Sequence, residues 1–215
     1  MSDDALIEQA LAELDVPDRA TRIGALCQLR GQQHENIIPH LIPLLRDRDS
    51  TIRRLAAEIL GQNRSSAAVM ALAALLYDPH AHVRIAAADA LGQIADHSAV
   101  SALIDALYDD QIDVRFAAAN ALGLIADARA VFDLITVLDH DDIPLAMMAA
   151  QALMRIGTTE ALAAIQHLRQ GDDYNFGIPS NSQRSTADEE TVRHHPADYV
   201  DPQTDETVRR LPPLD

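Results

Sequence analysis

The chain has no tryptophan, and its aromatic content is 3%, four tyrosines and three phenylalanines in 215 residues. Aromatic packing cannot build its core, so alanine and leucine must carry an apolar fraction of 48%. Alanine has the best helix propensity and lets backbones approach, which suits close-packed helices. Cysteine occurs once, at Cys27, which excludes an intramolecular disulfide and a cysteine-built metal cage. That thiol sits between Leu26 and Gln28 and is expected to be buried or half-buried and inert, in a reducing, cytoplasmic setting. Positive charge is also scarce: 17 Lys+Arg stand against 33 Asp+Glu, a formal net charge of −16. Nucleic-acid binding needs a basic footprint, so it is disfavoured, as is attraction to an anionic membrane surface. No apolar run approaches a membrane span, and Met1 to Asp4 lack a basic lead. Neither a transmembrane helix nor a signal peptide is expected.

What the chain does have is a period. Arg22, Arg53, Arg84 and Arg115 stand 31 residues apart, with Ala146 in the fifth place. Leu29, Leu60, Leu91, Leu122 and Leu153 keep the same step, as do Ile38, Val69, Val100, Val131 and Leu162. A period of this length means stacked repeats rather than one closed core. Within residues 78–108, Val83, Ala86, Ala87, Ala90, Leu91 and Ile94 fall at helical spacing, and Val100, Leu103, Ile104 and Leu107 form a second apolar stripe. Each repeat is therefore a first helix, a short turn and a second helix, and neither helix can bury its stripe without the adjacent repeats. Pro39 is tolerable in the first turn of a helix, whereas Pro43 should kink or delay the second helix of the first repeat.

The count gives repeats at about residues 16–46, 47–77, 78–108, 109–139 and 140–170. A half-repeat helix at about 3–14, carrying Leu6, Ile7, Ala10, Leu11 and Leu14, caps the start. At the other end, the apolar columns change to Gln166 and Arg169, the polar face expected of a terminal helix. The solenoid domain is thus 1–170. From 171 to 215 the periodicity stops: five prolines appear, and ten acids against four arginines leave −6. An extended or disordered acidic tail is expected there, with Tyr174 and Phe176 as anchors that could fold back on the last repeat.

The string D-x-x-x-x-V-R-x-A-A-A-x-A-L-G-x-I-A-D runs from Asp78 to Asp96 and again from Asp109 to Asp127. It resembles the HEAT-like repeat of phycobilisome-lyase type, and the resemblance covers about residues 16–170. It implies an all-α, right-handed α–α superhelix, a HEAT-like solenoid of five helix-pair repeats plus the N-terminal half repeat. It also implies two kinds of function. Some relatives attach or remove bilin chromophores on light-harvesting proteins, and many others are scaffolds or adaptors without chemistry. The deoxyhypusine hydroxylases are similar too, but hold two irons with several His-Glu pairs. This chain has one such pair, His34-Glu35, and Ser65-Ser66, Asp96-His97 and Asp127-Ala128 at the matching places, so a di-iron site is not expected.

Arg53, Arg84 and Arg115 each follow Asp47, Asp78 and Asp109 by six residues, which suggests a structural ladder of Arg–carboxylate bonds tying each link to its own helix. Gly61, Gly92 and Gly123, late in the first helices, mark either close helix approach or a helix end. Asp47, Asp49, Asp109, Asp110, Asp139, Asp141 and Asp142, with His80, His82 and His140, form an acidic rim that would steer a basic partner; no metal site is expected. His97 and His167 read as isolated surface histidines. On the second helices, columns at i, i+4 and i+7 lie off the core. They hold Met70 and Tyr77; Ser101, Asp105 and Tyr108; Phe132, Thr136 and Asp139. In HEAT-like solenoids the second helices line the concave face, so these residues are the expected partner-binding stripe. The opposing reading has the tyrosines covering the repeat edge with their hydroxyls in water.

The expected function is a non-enzymatic, monomeric protein-binding scaffold or adaptor, taking a basic or apolar, helical or extended segment of another protein. No catalytic residues, metal or cofactor are expected. The alternative is a bilin lyase subunit or chromophore chaperone, with bilin as its cofactor.

Overall fold

The computed structural model describes residues 3–138 and 143–170, with residues 3 and 167–170 lacking described side chains. Asp139, His140, Asp141, Asp142, the side chains of His167 and Arg169, and the whole of 171–215, including Tyr174 and Phe176, lie outside the described residues. The described residues form eleven α-helices: α1 Asp3–Leu14, α2 Arg19–Leu29, α3 Ile38–Leu41, α4 Ser50–Gln62, α5 Val69–Leu75, α6 Ala81–Ile94, α7 Val100–Ala106, α8 Ile112–Ile125, α9 Val131–Leu138, α10 Ile143–Ile156 and α11 Thr159–Gln170. Helices α2, α4, α6, α8 and α10 are the first helices of five pairs, and α3, α5, α7, α9 and α11 the second. Helix α1 stands ahead of them, with Ile7, Ala10 and Leu14 buried. The architecture is an α–α superhelix.

Of the columns counted in the sequence, the leucines of the first helices are core throughout, whereas on the second helices Val69 and Val100 are buried, Ile38 and Val131 half-buried and Leu162 exposed, and the residue just before each is the one that packs inward. Leu29, Leu60, Leu91, Leu122 and Leu153 are all fully buried, as are Ile37, Ala68, Ala99, Ala130 and Ala161 at the start of the second helices. Helices α2 and α4 each open on an aspartate that bonds the free amides: the Asp18 carboxylate accepts from the Thr21 N–H at 2.8 Å, and Asp49 from the Thr51 N–H at 2.8 Å, whereas α6 and α8 open on His80 and Gln111 without a side-chain cap. Proline acts as its chemistry requires. Helix α3 ends at Leu41, and Ile42–Arg46, with Pro43 near its start, continues as a tighter 3-10 turn.

Of the two readings for Gly61, Gly92 and Gly123, close approach is the one found. A Cβ on Gly61 would lie 2.6 Å from the Ala90 Cα, one on Gly92 2.9 Å from the Ala121 Cα, and one on Gly123 2.8 Å from the Ala152 Cα. Each glycine thus seats its helix directly against the next first helix. The helix ends lie elsewhere. Ala95 and Ala126 close α6 and α8 in the left-handed region, with φ of 58° and 55°, and Gly157 holds the same place after α10 with φ of 69°. An alanine Cβ is strained there, and both alanines are exposed. Ala95→Gly and Ala126→Gly are each expected to stabilise the protein by about 0.5–1 kcal/mol. Thermal melts of the single variants check this, and a lowered midpoint would show that no strain is relieved.

The arginine ladder exists, but with different carboxylate partners from those expected. Arg53 donates through Nε and Nη2 to the two Asp78 carboxylate oxygens at 2.6 and 2.9 Å, a bidentate pair spanning 25 residues. Its Nη1 donates to the Asp47 carbonyl oxygen at 2.7 Å. Arg84 repeats the scheme, with the Asp78 carbonyl at 2.9 Å and the Asp109 carboxylate at 2.7 Å, and Arg22 bonds the Asp47 carboxylate. The aspartate six residues before each arginine therefore offers its main-chain carbonyl, while the carboxylate comes from the following link. Those carboxylates also accept the N–H of the residue two further on, as Asp78 does from His80 at 2.9 Å. Arg115 donates to the Asp109 carbonyl at 3.2 Å; the onward position is His140. The ladder staples consecutive links to each other, which spacing within one repeat could not reveal.

Three surface expectations change. Cys27 is exposed, because its column continues as Glu58, Asp89, Asn120 and Gln151, an outward polar row. His97 is paired rather than isolated: its Nδ1 lies 2.8 Å from the Asp127 carboxylate, which also accepts from Arg129 Nη2 at 2.7 Å. At the C-terminal end Gln166 does face solvent, but α10 beside it turns large apolar side chains outward.

Candidate protein-binding face on the second helices

Helices α5 and α7 are short because their ends unwind early. Helix α5 ends at Leu75, and the Tyr77 N–H then bonds back to the Ala74 carbonyl at 3.3 Å. That turn sets the Tyr77 ring at the end of its helix, aimed across to the next pair. Its hydroxyl donates to the Asp105 carboxylate on α7 at 2.8 Å. One repeat on, the Tyr108 hydroxyl donates to Asp133 on α9 at 3.0 Å. The two reach different registers because residue 136, the position equivalent to Asp105, is threonine, and Thr136 turns its hydroxyl back to the Phe132 carbonyl at 3.1 Å. Tyr108 therefore takes the carboxylate one turn earlier. Asp133 was missed in the sequence because its column holds Ala71 and Ala102 in earlier repeats, so no periodicity marks it.

Burial of its hydroxyl, and then the Asp105 carboxylate, push the Tyr77 phenol up to about 12. It stays a donor through the physiological range. The side chains themselves remain exposed: Met70 is 76% exposed, Tyr77 57%, Tyr108 51% and Phe132 37%. Ser101 and Asp105 are exposed beside them, and Thr136 is half-buried. The face thus carries Met70 on α5, Phe132 on α9 and the two tyrosines in the turns that follow α5 and α7, with polar Ser101 and Asp105 on α7 between them, and its tyrosines are tethered rather than waving in water. Asp139, the last member of the expected stripe, lies outside the described residues.

Among the described residues, the aspartates of the acidic rim are committed to structure; Asp141 and Asp142 lie outside them, as Asp139 does. Asp47, Asp78 and Asp109 hold the arginine ladder, Arg19 bonds Asp49, and Arg84 reaches Asp110 at 2.8 Å. The Arg19 bond holds the Asp49 carboxyl at about 2. At Asp78, burial pulls the carboxyl upward, and the Arg53 guanidinium with the His80 amide outweigh it, so the net shift is downward. Among the described residues no three His, Cys, Asp or Glu groups converge as metal ligands. His34 and Glu35 line an open polar depression with Gln62, Asn63, Arg64 and Gln93 near the turns of the first two repeats. No described helix is long and apolar enough to cross a membrane.

Stacked helix pairs with glycine-seated first helices, an arginine–aspartate ladder and an exposed second-helix face define a helical repeat protein. The family model for HEAT repeats matches residues 38–115 and 100–176, and the chain belongs to that family. Among solved structures it is similar to the complex of CpcE and CpcF of phycocyanin lyase from Nostoc sp. PCC7120, at 24% identity over 78% of this chain and 71% of that one, with a TM-score of 0.65. An engineered protein is 27% identical over 77% of this chain and 86% of its own, with a TM-score of 0.59. A designed armadillo repeat protein in complex with the peptide (KR)4 is 20% identical over 82% and 96%, with a TM-score of 0.62. No curated protein matches the sequence.

Proposed function

We propose that the protein is a binding scaffold that holds a segment of another protein against the face formed by α5, α7 and α9. One observation carries the reading: Met70, Tyr77, Tyr108 and Phe132 stand exposed in successive repeats of a chain with seven aromatics, and the tyrosines are fixed by hydroxyl bonds to the neighbouring helix. Exposed aromatics held in place lose little entropy on binding and are the usual anchors of an interface. Asp105 and Asp133, each bonded to a tyrosine, add negative charge to the face, which favours a segment carrying both apolar and basic side chains. The other reading, a subunit acting on a bilin-bearing protein, rests on the resemblance of the repeats; mixing the protein with free bilin and recording the absorption spectrum separates it from the first.

The direct test is selection of binding peptides from a random library on the full chain, followed by titration of the selected peptides against the Tyr77→Ala/Tyr108→Ala variant. Loss of two anchors is expected to weaken binding by about 100-fold or more while helicity is kept. Peptides that bind wild type and variant equally well would remove this face from consideration.

A further inference from the structure

Helix α10 carries a surface that neither the repeat nor the second-helix face uses. Ile143, Met147, Ala150 and Met154 follow one another at i, i+4, i+7 and i+11 and so share one side of the helix. In the preceding first helices the position of Met154 is Gly61, Gly92 or Gly123, each covered by the next first helix. At the end of the stack the glycine is replaced by methionine. Ile143 is 72% exposed, Met147 60% and Met154 48%. On α11, Leu162 stands where Val69 and Val100 are buried, and is 44% exposed. The sequence from Ile143 to Met154 contains no ionisable side chain. The polar cap expected at this end is therefore present at Gln166 but missing from α10.

We propose that this end face is a self-association surface that takes the same face of a second copy of the chain in a two-fold contact. It continues the junctions inside the stack, where one apolar helix flank always lies on another. The second copy supplies an uncharged flank of equal length, about 16 Å at the helical rise. Methionine suits such a joint, because its flexible side chain fits an approximate partner, whereas the internal glycines demand an alanine at one height. Charge points the same way. Two chains of −16 repel, and a contact made through a surface without carboxylates is the one that repulsion opposes least. A two-fold contact is self-complementary and closed, so it stops at two copies. A stripe of this length buries on the order of 1,000 Å² in total, the low end for a specific interface, which makes the dimer a weak one.

Sedimentation velocity and light scattering on the full chain test this from about 5 to 500 µM, with roughly 0.3 M salt to screen repulsion. The weight-average mass is expected to rise from one chain towards two. Met147→Glu/Met154→Glu should keep the helical circular dichroism and the melting temperature and weaken association by at least about tenfold. Leu162→Gln, on the neighbouring helix, should weaken it independently. A wild-type chain that stays monomeric over the whole range overturns the proposal. So does association that survives both variants, or mass that climbs beyond two chains.

Discussion

Arg53→Met is expected to lower the stability of the repeat stack by about 3–5 kcal/mol at neutral pH. Arg53 and Asp78 are both buried, at 8% and 9% exposure, so removing the guanidinium leaves a carboxylate without its counter-charge in a poorly hydrated place. The main-chain carbonyls of Asp47 and Arg48, bonded to Arg53 Nη1 at 2.7 and 3.2 Å, lose their donor as well. Arg53→Lys should recover only a fraction, because a point charge cannot reproduce the bidentate fork and the carbonyl bonds together. The pH dependence gives an independent check. The Asp78 pKa is depressed in the folded chain, so its contribution is present above the unfolded carboxylate value of about 3.9 and is lost as pH falls through the folded one. In the variant that carboxyl has lost its guanidinium and burial dominates. Wild type and Arg53→Met should therefore differ most near neutrality and converge in acid. Urea melts at both pH values read this directly. A variant within 1 kcal/mol of wild type at neutral pH, an amount on the scale of an exposed ion pair, would show that the ladder is decorative (about 0–1 kcal/mol).

Gly61→Ala should cost about 2–3 kcal/mol, although alanine is the better helix former by about 1 kcal/mol. The added Cβ would lie 2.6 Å from the Ala90 Cα and 2.8 Å from its Cβ, so α4 and α6 must separate along their length. Backbone cannot move aside as a flexible side chain can, and the steric term wins. Gly24 supplies the control. It lies in α2 with nothing within 4 Å of its missing Cβ, and Gly24→Ala should stabilise by about 0.5–1 kcal/mol. Thermal and urea melts of the two variants should move in opposite directions. Movement in the same direction would mean that propensity, not packing, governs these glycines.

Much of this molecule could be read from spacing alone. The leucine column from Leu29 to Leu153 and the break imposed by Pro43 are local facts, and both reappear where the count puts them. The ladder could be read only halfway. Arginine and aspartate announce a pair, but Arg53 reaches the aspartate of the next link rather than its own, and that choice depends on the distance between neighbouring repeats. The exposure of Cys27 was not apparent beside Leu26, although its own column, Glu58 to Gln151, faces outward. On the second-helix face, Tyr77 and Tyr108 were visible as exposed aromatics. Their carboxylate partners were not, because Asp133 interrupts a column of alanines and answers to the position of Tyr108 in space.

By itself the sequence determined that helices pair and stack, and which side of each is apolar, because a helix repeats its faces at fixed intervals and a repeat of constant length keeps them in phase. Only the tertiary structure decided which flank of α10 is exposed, which aspartate each arginine holds, and how the tyrosines are fixed. These are distances between segments one repeat apart, set by how closely the Gly–Ala contacts let neighbouring helices approach, and no count along the chain contains them.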